Sequence, residues 1–315
     1  ICSVNKFPIG LALSGDTVTP DIMIYAAANP CDAAITTYSN LEHYCNIPCF
    51  CLDIPYLSDE RAHKYVAKQL RNMVSFIEEQ LKQKLDLDRL REVIKYSNQA
   101  QDYIVKLSDF RKNIPSPTSG RALFITGAST MGLSGIPEFV DWCRQQYELT
   151  KEKVERGEGA IPEEKFRLVW IANTVDFDPA IFEWLENEYG AVTVASLLNM
   201  YPIEPIDNTG DISKIFEGLA QRIMNYPMAR HGRGSADTYI SECINTARDY
   251  KADAVVFAGN TGCKYHWATA QLVKDTIYDE LGIPTLSFEL GPWDPRIVSL
   301  ETIKSKFEQL FELIL

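Results

Sequence analysis

Short apolar runs, each closed by a turn and followed by a helical pattern, recur along this chain. Asp21-IMIYAAA, Pro48-CFCLDIP, Phe166-RLVWIAN, Ala191-VTVAS, Ala252-DAVVFAG and Ile283-PTLSFEL are nearly continuously apolar rather than alternating. Strands buried on both faces belong to parallel sheets covered by helices; a one-sided sheet would show alternation. The stretches between them carry helical periodicity. Tyr65, Leu70, Val74, Ile77 and Leu81 fall on one face, as do Leu300, Ile303, Phe307, Leu310 and Ile314. The pattern predicts an α/β fold of two Rossmann- or flavodoxin-like parallel-sheet domains facing a cleft and joined by a helical segment. The divisions expected are residues 1–82, 83–162 and 163–315. Ile114-PSPTSG reads as a break, and the polar run LTKEKVERGEGAIPEE as the boundary before the second domain. The chain opens on Ile1-Cys2 without methionine, so the first domain is expected to be truncated at its start.

Length and charge restrict the function. A chain of 315 residues with 46% hydrophobic and 23% charged residues can bury a large core without covalent staples. The formal net charge of -12 argues against nucleic acid and against an anionic membrane surface as partners. No apolar run reaches membrane-spanning length and no signal-peptide pattern is present, so a cytoplasmic protein is expected. The eight cysteines are then expected to be reduced thiols.

Three of those cysteines occupy comparable places. Cys2 leads into the helical stretch SVNKFPIGLALSG, Cys31 follows a strand through Asn29-Pro30, and Cys263 follows a strand through Asn260-Thr261-Gly262. Each precedes a helix start, where unpaired N–H groups and the helix dipole favour a thiolate. In doubly wound sheets ligands bind beyond the carboxyl ends of strands, so two facing domains would bring Cys31 and Cys263 to one cleft. Cys49 and Cys51 lie inside an apolar strand, and Cys45, Cys143 and Cys243 lie within or at the ends of helical patterns. No CxxC pair exists, which removes the compact zinc-ribbon and ferredoxin spacings. The residues alone support a cluster-binding or nucleophilic cleft. Neither GDISKIFEG nor HGRGSAD has the spacing of a nucleotide-binding loop.

The chain resembles the 2-hydroxyacyl-CoA dehydratase family, which includes the benzoyl-CoA reductase subunits. The resemblance rests on Cys2-SVNKFPIGLAL, Pro20-DIMIYAAANPCDAAITTYSNLEHYCNIPCFCLDIPY, Ile114-PSPTSG, Lys165-FRLVWIANTVDFDPAIFEWLENEYGAV, Ala254-VVFAGNTGCK and Gly282-IPTLSFELGPWDPR, in that order. It implies a [4Fe-4S] cluster held by Cys2, Cys31 and Cys263, with one iron open to the thioester oxygen. The implied reaction is loss of water from an (R)-2-hydroxyacyl-CoA through a ketyl radical, because the β-hydrogen is not acidic enough for simple elimination. The implied partners are an acyl-CoA substrate, a second homologous subunit and an ATP-dependent iron–sulfur activator protein that delivers single electrons. Oxygen sensitivity follows.

Lys264 and His266, beside the third cysteine, are the candidate catalytic residues, placed to stabilise a developing ketyl oxygen or to protonate the leaving hydroxide. Asn29 and Asn260 are candidate helix caps or sulfur donors, and Trp267 reads as packing. Asp53 stands at a strand end near the cleft, and Arg230 and Arg233, with Lys264, are candidate contacts for CoA phosphates. Gly262 before the third cysteine and Tyr265-His266-Trp267 after it fit a catalytic-type subunit. The rival readings are a subunit of an ATP-dependent benzoyl-CoA reductase, an electron-relay subunit, a double-cubane relative and a non-catalytic scaffold subunit.

Overall fold

A computed structural model describes residues 1–16, 18–27, 31–199, 201 and 204–314. The first lobe opens with α1 (Ser3–Ser14), then β1 (Met23–Ala27), α2 (Asp32–Cys45) and β2 (Cys49–Asp53). The two strands pair in parallel, with Tyr25 opposite Cys51. A helical stretch follows: α3 (Glu60–Leu81), α4 (Leu87–Phe110), α5 (Gly120–Leu133) and α6 (Pro137–Arg156). Asp59, Asp86 and Ser119 cap the first three of these through side-chain oxygens that accept backbone N–H groups. The polar run expected to mark a boundary is helical for its first half, since α6 continues to Arg156 and ends on Gly157 at φ 65°.

The second lobe contains β3 (Phe166–Ala172), α7 (Ile181–Tyr189), β4 (Ala191–Ser196), α8 (Ile212–Asn225) and α9 (Pro227–His231). After these come α10 (Ala236–Asp249), β5 (Ala254–Asn260), α11 (Lys264–Leu281), β6 (Thr285–Leu290) and α12 (Leu300–Ile314). Its sheet is wholly parallel in the order β4-β3-β5-β6. The fold is therefore α/β with two parallel sheets, as the apolar runs predict.

Helices cover both faces of the four-stranded sheet. On one face Trp170 meets Phe182, Phe288 and Phe307 with ring centroids 5.8–6.4 Å apart, and its indole N–H donates to Thr193 Oγ1 at 3.0 Å. On the other, Val169, Val194, Phe257, Tyr250 and Ile277 form a second core. Full burial of each such side chain contributes about 1.5–3 kcal/mol. Below the sheet, buried Arg167 pairs with Glu164 and donates to the carbonyls of Tyr250, Arg111 and Asn113 at 2.7–3.1 Å. Ser116 in the Ile114-PSPTSG break donates its N–H to the same Glu164 at 2.6 Å. That break is thus pinned to the base of the second sheet.

The first lobe is completed from far along the chain. Helix α8 lies between β4 and β5 in sequence, yet Phe216, Ala220 and Met224 pack with Leu52, Ile54, Val66 and Leu70 in one core. The stretch GDISKIFEG is the start of this helix, capped by Asp211, whose carboxylate accepts from the Lys214 N–H at 3.0 Å.

Candidate functional site: three cysteines at three helix starts

Cys2, Cys31 and Cys263 are the N-cap residues of α1, α2 and α11, each in extended backbone and none using its side chain as a cap. Their sulfurs are therefore held at helix starts and remain available to something else. The structure brings them together. The Asn5 side-chain amide donates to Cys2 Sγ at 3.4 Å and to Cys31 Sγ at 3.5 Å, so one group touches both sulfurs. Gly262, at φ 79°, runs against the chain start so closely that a β-carbon there would lie 3.4 Å from the Ile1 nitrogen and 3.8 Å from the Cys2 nitrogen. A β-carbon would fit there at ordinary contact distance, so it is the left-handed backbone that favours glycine at this turn.

The thiol of Cys263 is shifted upward by burial, which outweighs backbone hydrogen bonds from His266 and Tyr265 that favour the thiolate; Cys2 and Cys31 raise it further. The helix-start argument predicts the opposite sign. At Cys263 desolvation, with the nearby Cys2 and Cys31 sulfurs, prevails over the helix-start contribution. Of the other thiols, burial pushes Cys49 up to about 11 and Cys143 up to about 12, and raises Cys243 and Cys51 as well. All eight cysteines are free.

Lys264 and His266 leave the same helix start in different directions. Lys264 is largely exposed and forms an ion pair with Asp32, the first residue of α2, which raises its pKa. It therefore ties the helix start after Cys263 to the one after Cys31. His266 accepts the backbone N–H of Asn260 at Nδ1, 3.1 Å away. Burial, aided by nearby His231, lowers its pKa to about 4. The ring is neutral at pH 7 and carries its proton on Nε2, where it can donate a hydrogen bond.

Behind it, His231 bonds Glu242 at 2.8 Å, and Glu242 also pairs with Arg230 at 2.7 Å. The Tyr239 phenol is buried and its pKa is raised well above the usual value, first by burial and then by Cys243 and Cys263.

The other sequence candidates have settled places. Asn260 organises the loop with its backbone: its carbonyl accepts from the Cys263 N–H and the Trp267 indole N–H, both at 3.0 Å. Its side-chain Oδ1 is buried and accepts from no described group. Trp267 is packing, lying over Gly259 so closely that a β-carbon there would come within 2.7 Å of the ring. Asn29 lies outside the described residues. Asp53 accepts from the Tyr65 hydroxyl at 2.8 Å. It lines a cavity of about 400 Å³ at the carboxyl end of β2 with Pro55, Tyr56, Leu57, Arg61 and Tyr65.

Arg230 donates to the Asn225 carbonyl at 2.9 Å and Arg233 to the Asn225 side chain at 2.8 Å. The sequence pattern does not single out Asn5, Asp32 or Tyr239. For Asn5 the one available signal is its spacing: three residues past an N-cap, a side chain turns back over the cap.

The site lies where the lobes meet. Besides the Lys264–Asp32 pair, the Trp293 N–H donates to Ser3 Oγ at 3.4 Å, Phe7 packs edge-on against Trp293 at 5.3 Å, and the Gly234 N–H donates to the Tyr56 carbonyl at 3.0 Å. Asp176, mostly buried and shifted upward by that burial, accepts from the Trp293 indole at 3.2 Å and steadies the same loop. Among the described residues no group of three or more His, Cys, Asp or Glu side chains is arranged to hold a single metal ion. No described helix is long and apolar enough to cross a membrane.

A protein with two parallel sheets and three cysteines at the helix starts between them matches a known class over its whole length. The sequence profile described as 2-hydroxyglutaryl-CoA dehydratase, D-component, matches residues 1–314, and the chain belongs to that family. A benzoyl-CoA reductase subunit of Thauera aromatica is 24% identical over 343 aligned positions, covering 100% of this chain and 76% of the relative. The (R)-phenyllactyl-CoA dehydratase alpha subunit of Clostridium sporogenes is 23% identical, covering 94% of this chain and 71% of the relative. The alpha subunit of lactoyl-CoA dehydratase from Anaerotignum propionicum is 22% identical, covering 96% and 71%. These relatives are named as subunits of larger assemblies.

Proposed function

We propose that this chain is the iron–sulfur subunit of an (R)-2-hydroxyacyl-CoA dehydratase, removing water to give the 2-enoyl-CoA, with Cys2, Cys31 and Cys263 holding a [4Fe-4S] cluster. The observation that carries the reading is the convergence of three thiols from distant parts of the chain, with one amide touching two of the sulfurs. The donor set fits the group. Thiolates are the soft ligands that iron–sulfur clusters take. The donors of a cube each bind a different iron, so they need not close on the single point that one metal ion requires. When bound, the cluster would supply one-electron chemistry and, with three protein ligands for four irons, Lewis acidity at the remaining iron.

The chain's own residues position and polarise. The N–H groups of Tyr265 and His266 point at the Cys263 sulfur and offset negative charge there. His266, neutral and with Nδ1 engaged by the backbone, presents Nε2–H as a donor able to hydrogen-bond a substrate oxygen. Lys264, paired with Asp32, holds two cysteine-bearing helix starts together and places positive charge at the rim. The cavity at the carboxyl end of β2, lined by Asp53, Tyr56 and Arg61, is the candidate space for an acyl chain. The reading brings with it a second homologous subunit and an ATP-dependent activator that injects electrons one at a time.

The benzoyl-CoA reductase relative, which aligns with the whole chain, favours a second reading in which an aromatic acyl-CoA is reduced. Anaerobic purification with a co-expressed homologous subunit, followed by iron analysis and electron paramagnetic resonance, tests the proposal. About four irons per chain are expected, lost in Cys2→Ser, Cys31→Ser or Cys263→Ser. Water loss from 2-hydroxyacyl-CoA against reduction of benzoyl-CoA then separates the two chemistries. An iron-free chain in the assembled complex defeats both.

A further inference from the structure

We propose that Asn5 is a positioning residue of this site, a side-chain amide that donates to two of the three cluster thiolates and raises the reduction potential; the inference rests on the iron–sulfur reading above. Asn5 stands one turn into α1 and is only 7% exposed. Its amide nitrogen reaches Cys2 on its own helix at 3.4 Å and Cys31 at the start of α2 at 3.5 Å. A buried amide N–H is costly to leave without an acceptor, and a neutral thiol is a poor one. A thiolate is a much better acceptor, because charge-assisted hydrogen bonds are about twice as strong as neutral ones. Two N–H vectors aimed at two sulfurs therefore suit the ionised, metal-holding state of this pair.

Two consequences follow. The amide fixes the separation of the Cys2 and Cys31 sulfurs from outside the ligand set, as outer-shell groups do at other metal sites. It also makes the three sulfurs unequal: two share a side-chain donor, whereas Cys263 receives backbone N–H groups from Tyr265 and His266. Hydrogen bonds to cluster sulfur stabilise the more negative, reduced state, so their removal lowers the potential.

The test compares Asn5→Leu, which keeps the volume and loses the donor, with Asn5→Gln, which keeps a donor. Each is made in the full chain purified anaerobically with its partner subunit. The readouts are iron per chain, the rate of iron loss to a chelator, and the midpoint potential from a resonance-monitored redox titration. Asn5→Leu is expected to lower the reduction equilibrium constant about tenfold, which for one electron is about 59 mV, and to lose iron faster. Asn5→Gln is expected to recover at least half of the shift. If Asn5→Leu does not fold, Asn5→Ala, which also lacks a donor, is expected to show the same fall.

Wild-type potential and iron retention in the donor-less variants overturn the role of Asn5 while leaving the cluster reading intact. A wild-type complex without iron overturns both.

Discussion

The two parallel sheets differ sharply in how they are protected. In the second lobe every residue of β4 and β5 is buried and β3 is buried from Arg167 onward. In the first lobe Ile24 of β1 is 43% exposed and only Leu52 of β2 is buried. A two-stranded sheet is marginal by itself in water. The first lobe gains its core from α3 and from α8, which the chain supplies late, and it leans on the second lobe at Ser3, Asp32 and Tyr56. Two of the three thiols belong to this weaker lobe and one to the stronger. The site therefore sits on a seam whose far side is rigid and whose near side is braced by contacts around the thiols themselves.

The contrast can be broken most directly in the second lobe. Glu164→Ala leaves Arg167 buried without its partner and is expected to cost about 3–5 kcal/mol, read from urea unfolding. Trp170→Ala, in the centre of the aromatic core, should cost a similar ~3–5 kcal/mol. A loss below about 1 kcal/mol in either would show that the second sheet is not the stable half.

Glu186 gives an intermediate effect with a pH signature. Burial raises its carboxyl to about 7, although it accepts the Gly120 N–H at 2.8 Å. The folded state thus holds a proton that the unfolded chain releases near the ordinary glutamate value. Stability is full below that value and falls as pH rises towards about 7. Glu186→Gln should flatten this dependence and gain on the order of 1–3 kcal/mol at pH 8 relative to wild type. Equal pH profiles for the two proteins would contradict the burial argument.

The smallest effects are expected on the exposed strand and the rim. Ile24→Ala should change stability by no more than about 0.5 kcal/mol, and amides of β1 and β2 should exchange with deuterium before those of β5. Protection of β1 equal to that of β5 would erase the distinction between the lobes.

Much of this is legible in the residues alone. The apolar runs at 23–27, 49–53, 166–172, 191–196, 254–260 and 285–290 are strands, and the helices after Cys2, Cys31 and Cys263 begin where the pattern places them. What is not legible depends on residues distant in sequence. The periodicity of Ile212–Asn225 does not say that its apolar face completes the first lobe. Arg167 reads as an ordinary polar start to a strand, yet it knots together Glu164, Arg111, Asn113 and Tyr250. The sequence does not say that His266 is buried, neutral and held at Nδ1 by the Asn260 N–H.

The sequence by itself determined the local elements of this protein, because apolar continuity and helical period act within a few residues, and it placed a cysteine before each of three helices. Tertiary structure alone decided that those cysteines meet, that Asn5 reaches two of their sulfurs, and that burial rather than the helix start governs the Cys263 thiol. These are properties of distance and hydration between segments far apart in the chain, and no short-range pattern encodes them.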